Sequence, residues 1–174
     1  MKMPTLLPLS RTSKWTLFAL ALIGASSFSL PKFVIWNASA SIDKGLYFVV
    51  PGSHVRRGHI AAYLPPPMLA AWMAKRGYLP KGLPLLKTVA SKTGNIFCRS
   101  GSIVSYRAKP VAVARDHDRM GRDLPVWQGC RIIGKEEVFL LSPFKSSLDS
   151  RYFGPLPASG LLGRAYPIWT YESE

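Results

Sequence analysis

One serine and one lysine in this sequence are of the types that form a catalytic pair. Ser41 follows shortly after a long apolar stretch, and Lys87 stands among apolar neighbours in the run LLKTV, residues 85–89. A lysine held away from water can lose its proton near neutral pH, and it can then accept the proton of a serine hydroxyl. The pair therefore predicts nucleophilic chemistry by Ser41 with Lys87 as the general base.

The pattern around Lys87 supports two interpretations. Residues 85–90 are predicted to form a strand, in which Leu85, Lys87 and Val89 share one face. A lysine on a core face needs a carboxylate partner or a lowered pKa. Alternatively, the strand lies at a sheet edge and the tip of Lys87 reaches water. Ser41 has a similar alternative, because serines are common in loops.

Composition favours a β-rich fold around these residues. The 174 residues include 14 glycines and 15 prolines, which disfavour long helices and suit many turns. The length allows one globular domain and a short anchor. We predict an all-β domain with one helical insertion at 68–75 and an exposed loop at 115–123. Strands are predicted at 46–50, 59–64, 85–90, 102–106, 111–114, 130–133 and 137–141.

The N-terminal region predicts export. Residues 15–30 carry no charge, and residues 33–36 continue the apolar character, so we expect a transmembrane anchor at 15–36. Basic residues within 1–14 keep that segment in the cytoplasm by the positive-inside rule, which leaves 37–174 outside. An alternative is a signal peptide cleaved after Ala40, at an Ala-x-Ala site. Both interpretations place residues 41–174 outside the cytoplasm.

The formal charge of +14, from 23 basic and 9 acidic residues, is compatible with three situations. The protein binds nucleic acid, or it binds anionic lipid, or it is a cationic exported protein without an electrostatic partner. The basic residues are scattered and do not alternate with aromatic ones, so we expect no nucleic-acid partner. A basic exported protein that acts on DNA or anionic lipid remains an alternative, and binding that weakens steeply with salt would indicate it.

Two cysteines, Cys98 and Cys130, are present. Outside the cytoplasm such a pair is expected to form a disulfide, and the alternative is two unrelated buried thiols. The three histidines, His54, His59 and His117, lack the spacing of metal ligands. We therefore expect neither a metal site nor a cofactor.

Three segments, in order, resemble the boxes of the type I signal peptidase family. They are Ser-x-Ser-x-x-x-Gly-Leu-Tyr at 39–47, Leu-Lys-Thr-Val at 86–89 and Ser-x-Asp-Ser-Arg-Tyr-Phe-Gly at 147–154. The last is the most specific of the three. The Gly-Leu-Tyr sequence and the small size resemble the conjugative-transfer branch, the TraF-type peptidases. The resemblance runs from the membrane segment to about Gly154, which is most of the chain.

The resemblance implies a role for each matching residue. Ser41 matches the nucleophile and Lys87 the general base, while the Ser39 hydroxyl and the Ser41 N–H match the oxyanion hole. Ser147 matches the serine that orients the lysine. Asp149 and Arg151 match a supporting pair whose opposite charges suit a salt bridge; the alternative for this segment is a solvated turn.

Two departures from the family pattern concern the first and last boxes. Many relatives have proline at the position of Asp43, two residues after the nucleophile. The residues before Ser147 read SPFKS rather than the Gly-Asp-Asn of general signal peptidases, which favours a specialised branch.

The resemblance implies a membrane-anchored serine endopeptidase in a bacterial inner membrane, with a compact β-rich domain in the periplasm. Its partners would be the lipid bilayer, the conjugation apparatus and a membrane-anchored pilin precursor. In the TraF-type branch an amine of the same pilin chain can resolve the acyl-enzyme, so both a linear and a cyclic product stay open. The alternative function is a non-catalytic, membrane-anchored component of a conjugation or secretion apparatus.

Overall fold

The computed structural model describes Trp15 and residues 33–172. The predicted cytoplasmic segment 1–14 and residues 16–32 of the predicted anchor lie outside the described residues. Within the part that is described, no helix has both the length and the apolar character needed to cross a bilayer.

The described residues form a mainly β domain, as predicted. In chain order its elements are β1 Val34–Asn37, β2 Lys44–Pro51, β3 Ile60–Tyr63, α1 Pro67–Lys75, β4 Leu85–Ser91, β5 Ile96–Ser100, β6 Ile103–Tyr106, β7 Lys109–Val113, β8 Gly129–Ile132, β9 Glu137–Leu141, α2 Ser150–Phe153, β10 Leu156–Pro157 and β11 Leu161–Tyr171. The predicted helical insertion at 68–75 is α1. Its Pro67 suits the first turn, where a backbone N–H is not needed.

The strands form two antiparallel sheets. The larger has the order β1-β2-β11-β3-β4-β9-β10, and the smaller has the order β7-β6-β5-β8. β4 lies inside the larger sheet, paired with β3 on one side and β9 on the other. Apolar clusters cover both faces of the sheet at this strand, because Val89 packs with Tyr63 and Leu140, whereas Leu86 packs with Tyr47 in a separate cluster. The centre of β4 is therefore shielded from water.

The strand β1 changes the predicted domain boundary. Residues 34–36, assigned to the anchor from their apolar character, pair with β2 and belong to the sheet. Along β1, Val34 and Trp36 are exposed, whereas Ile35 is half-buried and Asn37 is buried, as in a strand with one face on the core. The folded domain thus begins before residue 37, and its first strand leads directly to Ser39 and Ser41.

The strand β11 was not predicted, although it is the longest in the larger sheet. It lies between β2 and β3 with a register shift near Pro167. Gly163 has φ of +157°, and a Cβ there would lie 2.0 Å from the Val50 carbonyl oxygen. Only glycine allows the two backbones to approach so closely. In β11, glycine permits this close approach, and the register shift near Pro167 makes the strand irregular.

Cys98 and Cys130 form a disulfide across the β5–β8 pair. We expect the double variant Cys98→Ser/Cys130→Ser to lose about 3 kcal/mol in the free energy of unfolding, because a crosslink over 32 residues restricts the unfolded chain. Thermal unfolding of the purified protein with and without reductant measures the effect. The wild type in reductant should match the double variant, and a melting temperature unaffected by reductant would contradict the prediction.

Candidate active site

Ser41 and Lys87 line the same cavity, which has a volume of about 450 Å³. Ser39 and Ser147 line it as well. The four residues come from three places in the fold: the β1–β2 connection, the centre of β4, and the segment between β9 and α2. The structure thus brings together the residues that the three sequence boxes share with the signal peptidase family.

Lys87 is buried, with 2% of its surface exposed. The interpretation of Lys87 as a sheet-edge lysine is wrong, because β4 has a neighbour on each side. Burial lowers the pKa of Lys87 to about 8, from an ordinary value of 10.5. The charge of Asp149 acts in the opposite direction and the charge of Arg151 in the same direction, and both effects are smaller than that of burial.

The Lys87 ammonium donates a hydrogen bond to the Ser147 hydroxyl. Ser147 is itself buried, and its backbone N–H donates to the Phe144 carbonyl at 3.2 Å. A fixed acceptor limits the positions available to the flexible lysine chain. Ser147 therefore lies where the resemblance requires a residue that orients the base.

Ser41 is also buried, and its hydroxyl donates to the Leu86 carbonyl at 3.1 Å. Leu86 immediately precedes Lys87. Among the hydrogen bonds of the described residues there is none between Ser41 Oγ and Lys87 Nζ. The hydroxyl must therefore turn from the carbonyl of one residue towards the amine of the next before proton transfer. Catalytic hydrogen bonds commonly tighten only when substrate binds.

Asn37, which sequence reasoning missed, organises the segment that carries Ser41. Its amide nitrogen donates to the carbonyls of Ser39, Ile42 and Asp43 at 3.0, 3.2 and 3.0 Å. Its amide oxygen accepts from the Ser39 N–H at 3.3 Å and from the Ser39 hydroxyl at 2.8 Å. One buried side chain thus ties together the turn between β1 and β2 and sets the direction of the Ser39 hydroxyl.

The hydrogen bond from Ser39 to Asn37 determines how the two serines face each other. Ser39 Oγ lies 2.9 Å from Ser41 Oγ, a contact in which either hydroxyl can be the donor. When the Ser39 proton is directed at Asn37, Ser39 presents a lone pair to Ser41, and the Ser41 proton is shared between Ser39 and the Leu86 carbonyl. To stabilise an oxyanion, the Ser39 hydroxyl must redirect that proton from Asn37 to the developing charge.

We expect Asn37→Ala to lower kcat by about 10²-fold, because Ser39, to which the resemblance assigns the oxyanion role, and the turn that carries Ser41 both lose their support. KM should change much less, because Asn37 supports the two serines and is not among the residues that line the cavity. Steady-state kinetics on a cleaved substrate measures the split, and Asn95→Ala serves as the matched substitution elsewhere. An Asn37→Ala enzyme with wild-type kcat would contradict the prediction.

Asp43 stands where many relatives have proline, and side-chain hydrogen bonds hold the Asp43 backbone in place. The Asp43 carbonyl accepts hydrogen bonds from the Tyr47 hydroxyl at 2.8 Å and from Asn37 at 3.0 Å. Tyr47 belongs to the Gly-Leu-Tyr sequence of the first box. Two side-chain donors therefore fix a conformation that a proline ring would otherwise restrict.

Asp149 and Arg151 form a buried ion pair below the cavity. Arg151 Nε donates to Asp149 Oδ1 at 2.8 Å, and Arg151 Nη2 donates to Asp149 Oδ2 at 3.0 Å. The pair also holds the backbone of Ser142, the residue that follows β9. Asp149 accepts from the Ser142 N–H at 2.9 Å, and Arg151 donates to the Ser142 carbonyl at 2.8 Å. The solvated-turn interpretation is wrong, since both side chains are buried. The pair closes the loop that carries Ser147.

No group of three or more His, Cys, Asp or Glu side chains within the described part of the chain is arranged to hold a metal ion. The cavity instead offers hydroxyls, a buried amine and backbone N–H groups. Such a set can form a nucleophile, deprotonate it and stabilise an oxyanion, which is acyl-transfer chemistry.

Comparisons with known proteins agree with this geometry. The family model described as signal peptidase, peptidase S26, matches residues 9–170. A probable conjugal transfer protein TraF of Sinorhizobium fredii is 34% identical over 144 residues, which cover 78% of this chain and 76% of the relative. A conjugal transfer protein TraF of Agrobacterium tumefaciens is 37% identical over 119 residues, with 63% and 67% covered. A plasmid transfer protein TraF of Escherichia coli is 28% identical over 153 residues, with 82% and 79% covered.

The family match extends over nearly the whole chain, and the first of these relatives is similar across about three quarters of its own length. Together with the buried lysine and the serine in one cavity, these matches assign the chain to the peptidase S26 family of signal peptidases, as a TraF-type member.

Proposed function

We propose that the protein is a membrane-anchored serine endopeptidase that cleaves a pilin precursor during conjugative transfer. The single observation that carries the proposal is a buried Lys87 of lowered pKa in the same cavity as Ser41. The substrate class is supported by the relatives, which are named as conjugal or plasmid transfer proteins. A periplasmic location is supported by the uncharged stretch 15–30 and by the disulfide.

Acylation proceeds in two proton transfers. Neutral Lys87 accepts the proton of the Ser41 hydroxyl as Ser41 Oγ bonds to the carbonyl carbon of the substrate. The Ser41 N–H and the Ser39 hydroxyl stabilise the resulting oxyanion. The Lys87 ammonium then gives its proton to the leaving amine as the C–N bond breaks. The product of this half-reaction is an ester between Ser41 and the substrate.

Deacylation repeats these steps with a second nucleophile. Lys87 removes a proton from water, the hydroxide bonds to the ester carbonyl, and the Ser41 oxygen leaves and recovers the proton. If an amine of the same substrate chain replaces water, the product is a cyclic peptide. The cavity and the dyad serve either nucleophile, so access of water to the ester decides the outcome.

The full-length protein in detergent, incubated with candidate pilin precursors, tests the proposal by mass spectrometry of the products. We expect a shortened pilin, and its mass distinguishes the linear chain from the cyclic one, which is lighter by one water. The Ser41→Ala protein should give neither product. Precursors that stay intact with the wild type, or that are processed equally by Ser41→Ala, would contradict the proposal.

A further inference from the structure

Four arginines line the cavity that holds Ser41 and Lys87. Arg76, which follows α1, lines the cavity together with Arg115, Arg119 and Arg122 from the loop 115–123. We call these four residues the arginine wall. The one carboxylate that also lines the cavity is Asp118, so the wall and this aspartate together carry a charge of about +3. Scattered surface charge does not account for four guanidinium groups at one cavity.

Two members of the wall have structural partners. Arg122 Nε lies 2.7 Å from Asp118 Oδ2, and its Nη2 donates to the Arg76 carbonyl at 3.1 Å. Arg76 Nη1 donates to the Asp123 carbonyl at 2.5 Å, and its guanidinium stacks on Trp72 at 4.6 Å. These contacts hold the loop against α1.

Asp118 is fully engaged by its own loop and by Tyr78. Besides Arg122, it accepts hydrogen bonds from the Met120 and Arg122 N–H groups at 2.8 and 2.9 Å and from the Tyr78 hydroxyl. These donors hold the pKa of Asp118 well below its usual range. Asp118 thus has little capacity left to neutralise the other arginines.

Arg115 and Arg119 are the remaining members of the wall. Both are exposed, and within the described residues neither guanidinium makes a hydrogen bond or ion pair. The backbone of Arg115 is fixed, because its N–H donates to the Tyr152 hydroxyl at 3.1 Å, and Tyr152 belongs to α2. A guanidinium presents several N–H donors in a plane that matches the two oxygens of a carboxylate. Two such groups in the cavity that also contains Ser41 are suited to an anionic part of the substrate.

We propose that Arg115 and Arg119 form a subsite for a carboxylate in the substrate segment next to the cleaved bond. The carboxylate belongs either to an Asp or Glu side chain or to a free C-terminus of the substrate. The inference rests on the proposed peptidase function, because it takes the occupant of the cavity to be a peptide. Electrostatic complementarity of this kind selects among substrates more than it adds affinity.

Binding of short peptides to full-length Ser41→Ala protein in detergent tests the subsite without turnover. The probes are three nine-residue peptides rich in alanine and glycine, each with an uncharged fluorophore at its N-terminus. The first has a central Glu and an amidated C-terminus, the second has Gln and an amidated C-terminus, and the third has Gln and a free C-terminal carboxylate. Fluorescence anisotropy at fixed ionic strength gives each Kd.

We expect one of the two carboxylate peptides to bind about fivefold to tenfold more tightly than the amidated Gln peptide, since an exposed guanidinium–carboxylate pair contributes modestly. Which of the two it is identifies the source of the carboxylate. Adding Arg115→Gln and Arg119→Gln should remove the preference. Adding Arg131→Gln, which removes an exposed charge on β8 away from the cavity, should retain it.

Equal binding of the three peptides, absence of binding, or a preference that survives loss of both arginines would overturn the subsite. A preference that Arg131→Gln abolishes would also overturn it, because the effect would then be the general charge of the protein. Cleavage separates this result from the proposed function. A charge preference in Ser41→Ala without any wild-type processing of pilin precursors refutes the peptidase alone, whereas processing without a charge preference refutes the subsite alone.

Discussion

Ser41→Ala and Lys87→Met should each lower kcat/KM for a cleaved substrate by about 10⁴-fold or more, because each removes one half of a unit that acts together. Methionine has nearly the length of lysine and no charge, so it suits a site that is 2% exposed. We therefore expect Lys87→Met to fold at least as stably as the wild type. Lys81→Met, at an exposed loop position, is the matched control and should retain full activity.

The double variant Ser41→Ala/Lys87→Met distinguishes a dyad from two independent contributions. If the two residues act as nucleophile and base of one step, the double variant should be no slower than the worse single variant. Multiplied effects would indicate separate roles. Full pilin maturation by either single variant in cells would favour the non-catalytic component of the transfer apparatus instead.

The second large effect is on stability. Asp149→Asn should lower the free energy of unfolding by about 3–5 kcal/mol, because Arg151 is left buried without its counter-charge. Calorimetric melting of the purified protein measures the loss. Asp123→Asn is the matched control, because the Asp123 side chain is 88% exposed and, among the residues that the structure describes, pairs with His117 alone, so its effect should stay within about 0.5 kcal/mol.

Removing both charges tests whether the stability lost in Asp149→Asn comes from an unpaired buried charge or from lost packing. Asp149→Leu/Arg151→Met replaces the pair by apolar side chains, and we expect it to be more stable than Asp149→Asn. The catalytic consequence is separate, since the segment between Ser142 and Arg151 carries Ser147, the acceptor for Lys87. An Asp149→Asn protein as stable as the wild type would contradict the structural role assigned to the pair.

Much of the fold follows from local patterns. The seven predicted strands and the helix correspond to observed elements within a few residues, because local apolar patterns and turn signals indicate each one. The strands β1, β5 and β10 and the short helix α2 were not predicted, and β11 was missed because Gly163 and Pro167 weaken its strand signal. The requirement for Gly163 arises from the Val50 carbonyl on a neighbouring strand, which no local pattern contains.

Part of the candidate site could likewise be predicted from local sequence, and part of it depends on how the chain folds. The alternation of Leu85, Lys87 and Val89 indicated the face of the lysine, but its burial depended on β4 having partners on both sides. The sequence gives only a weak indication that Asn37 belongs to the site, namely that it is a polar residue two positions before Ser39 and four before Ser41. Its five hydrogen bonds appear only once the turn has folded. The loop 115–123 was correctly predicted to be exposed, whereas its place beside the cavity depends on its contacts with α1.

Catalysis as described requires Lys87 to be neutral at a pH where an ordinary lysine is charged, and NMR titration of lysine side chains labelled with ¹³C at Cε tests this most directly. The Lys87→Met spectrum assigns the signal. We predict a midpoint near pH 8. Because the neutral amine is the active form, kcat/KM should fall about tenfold per pH unit below that midpoint and level off above it. A Lys87 midpoint above pH 10, with the other lysines, would contradict the account.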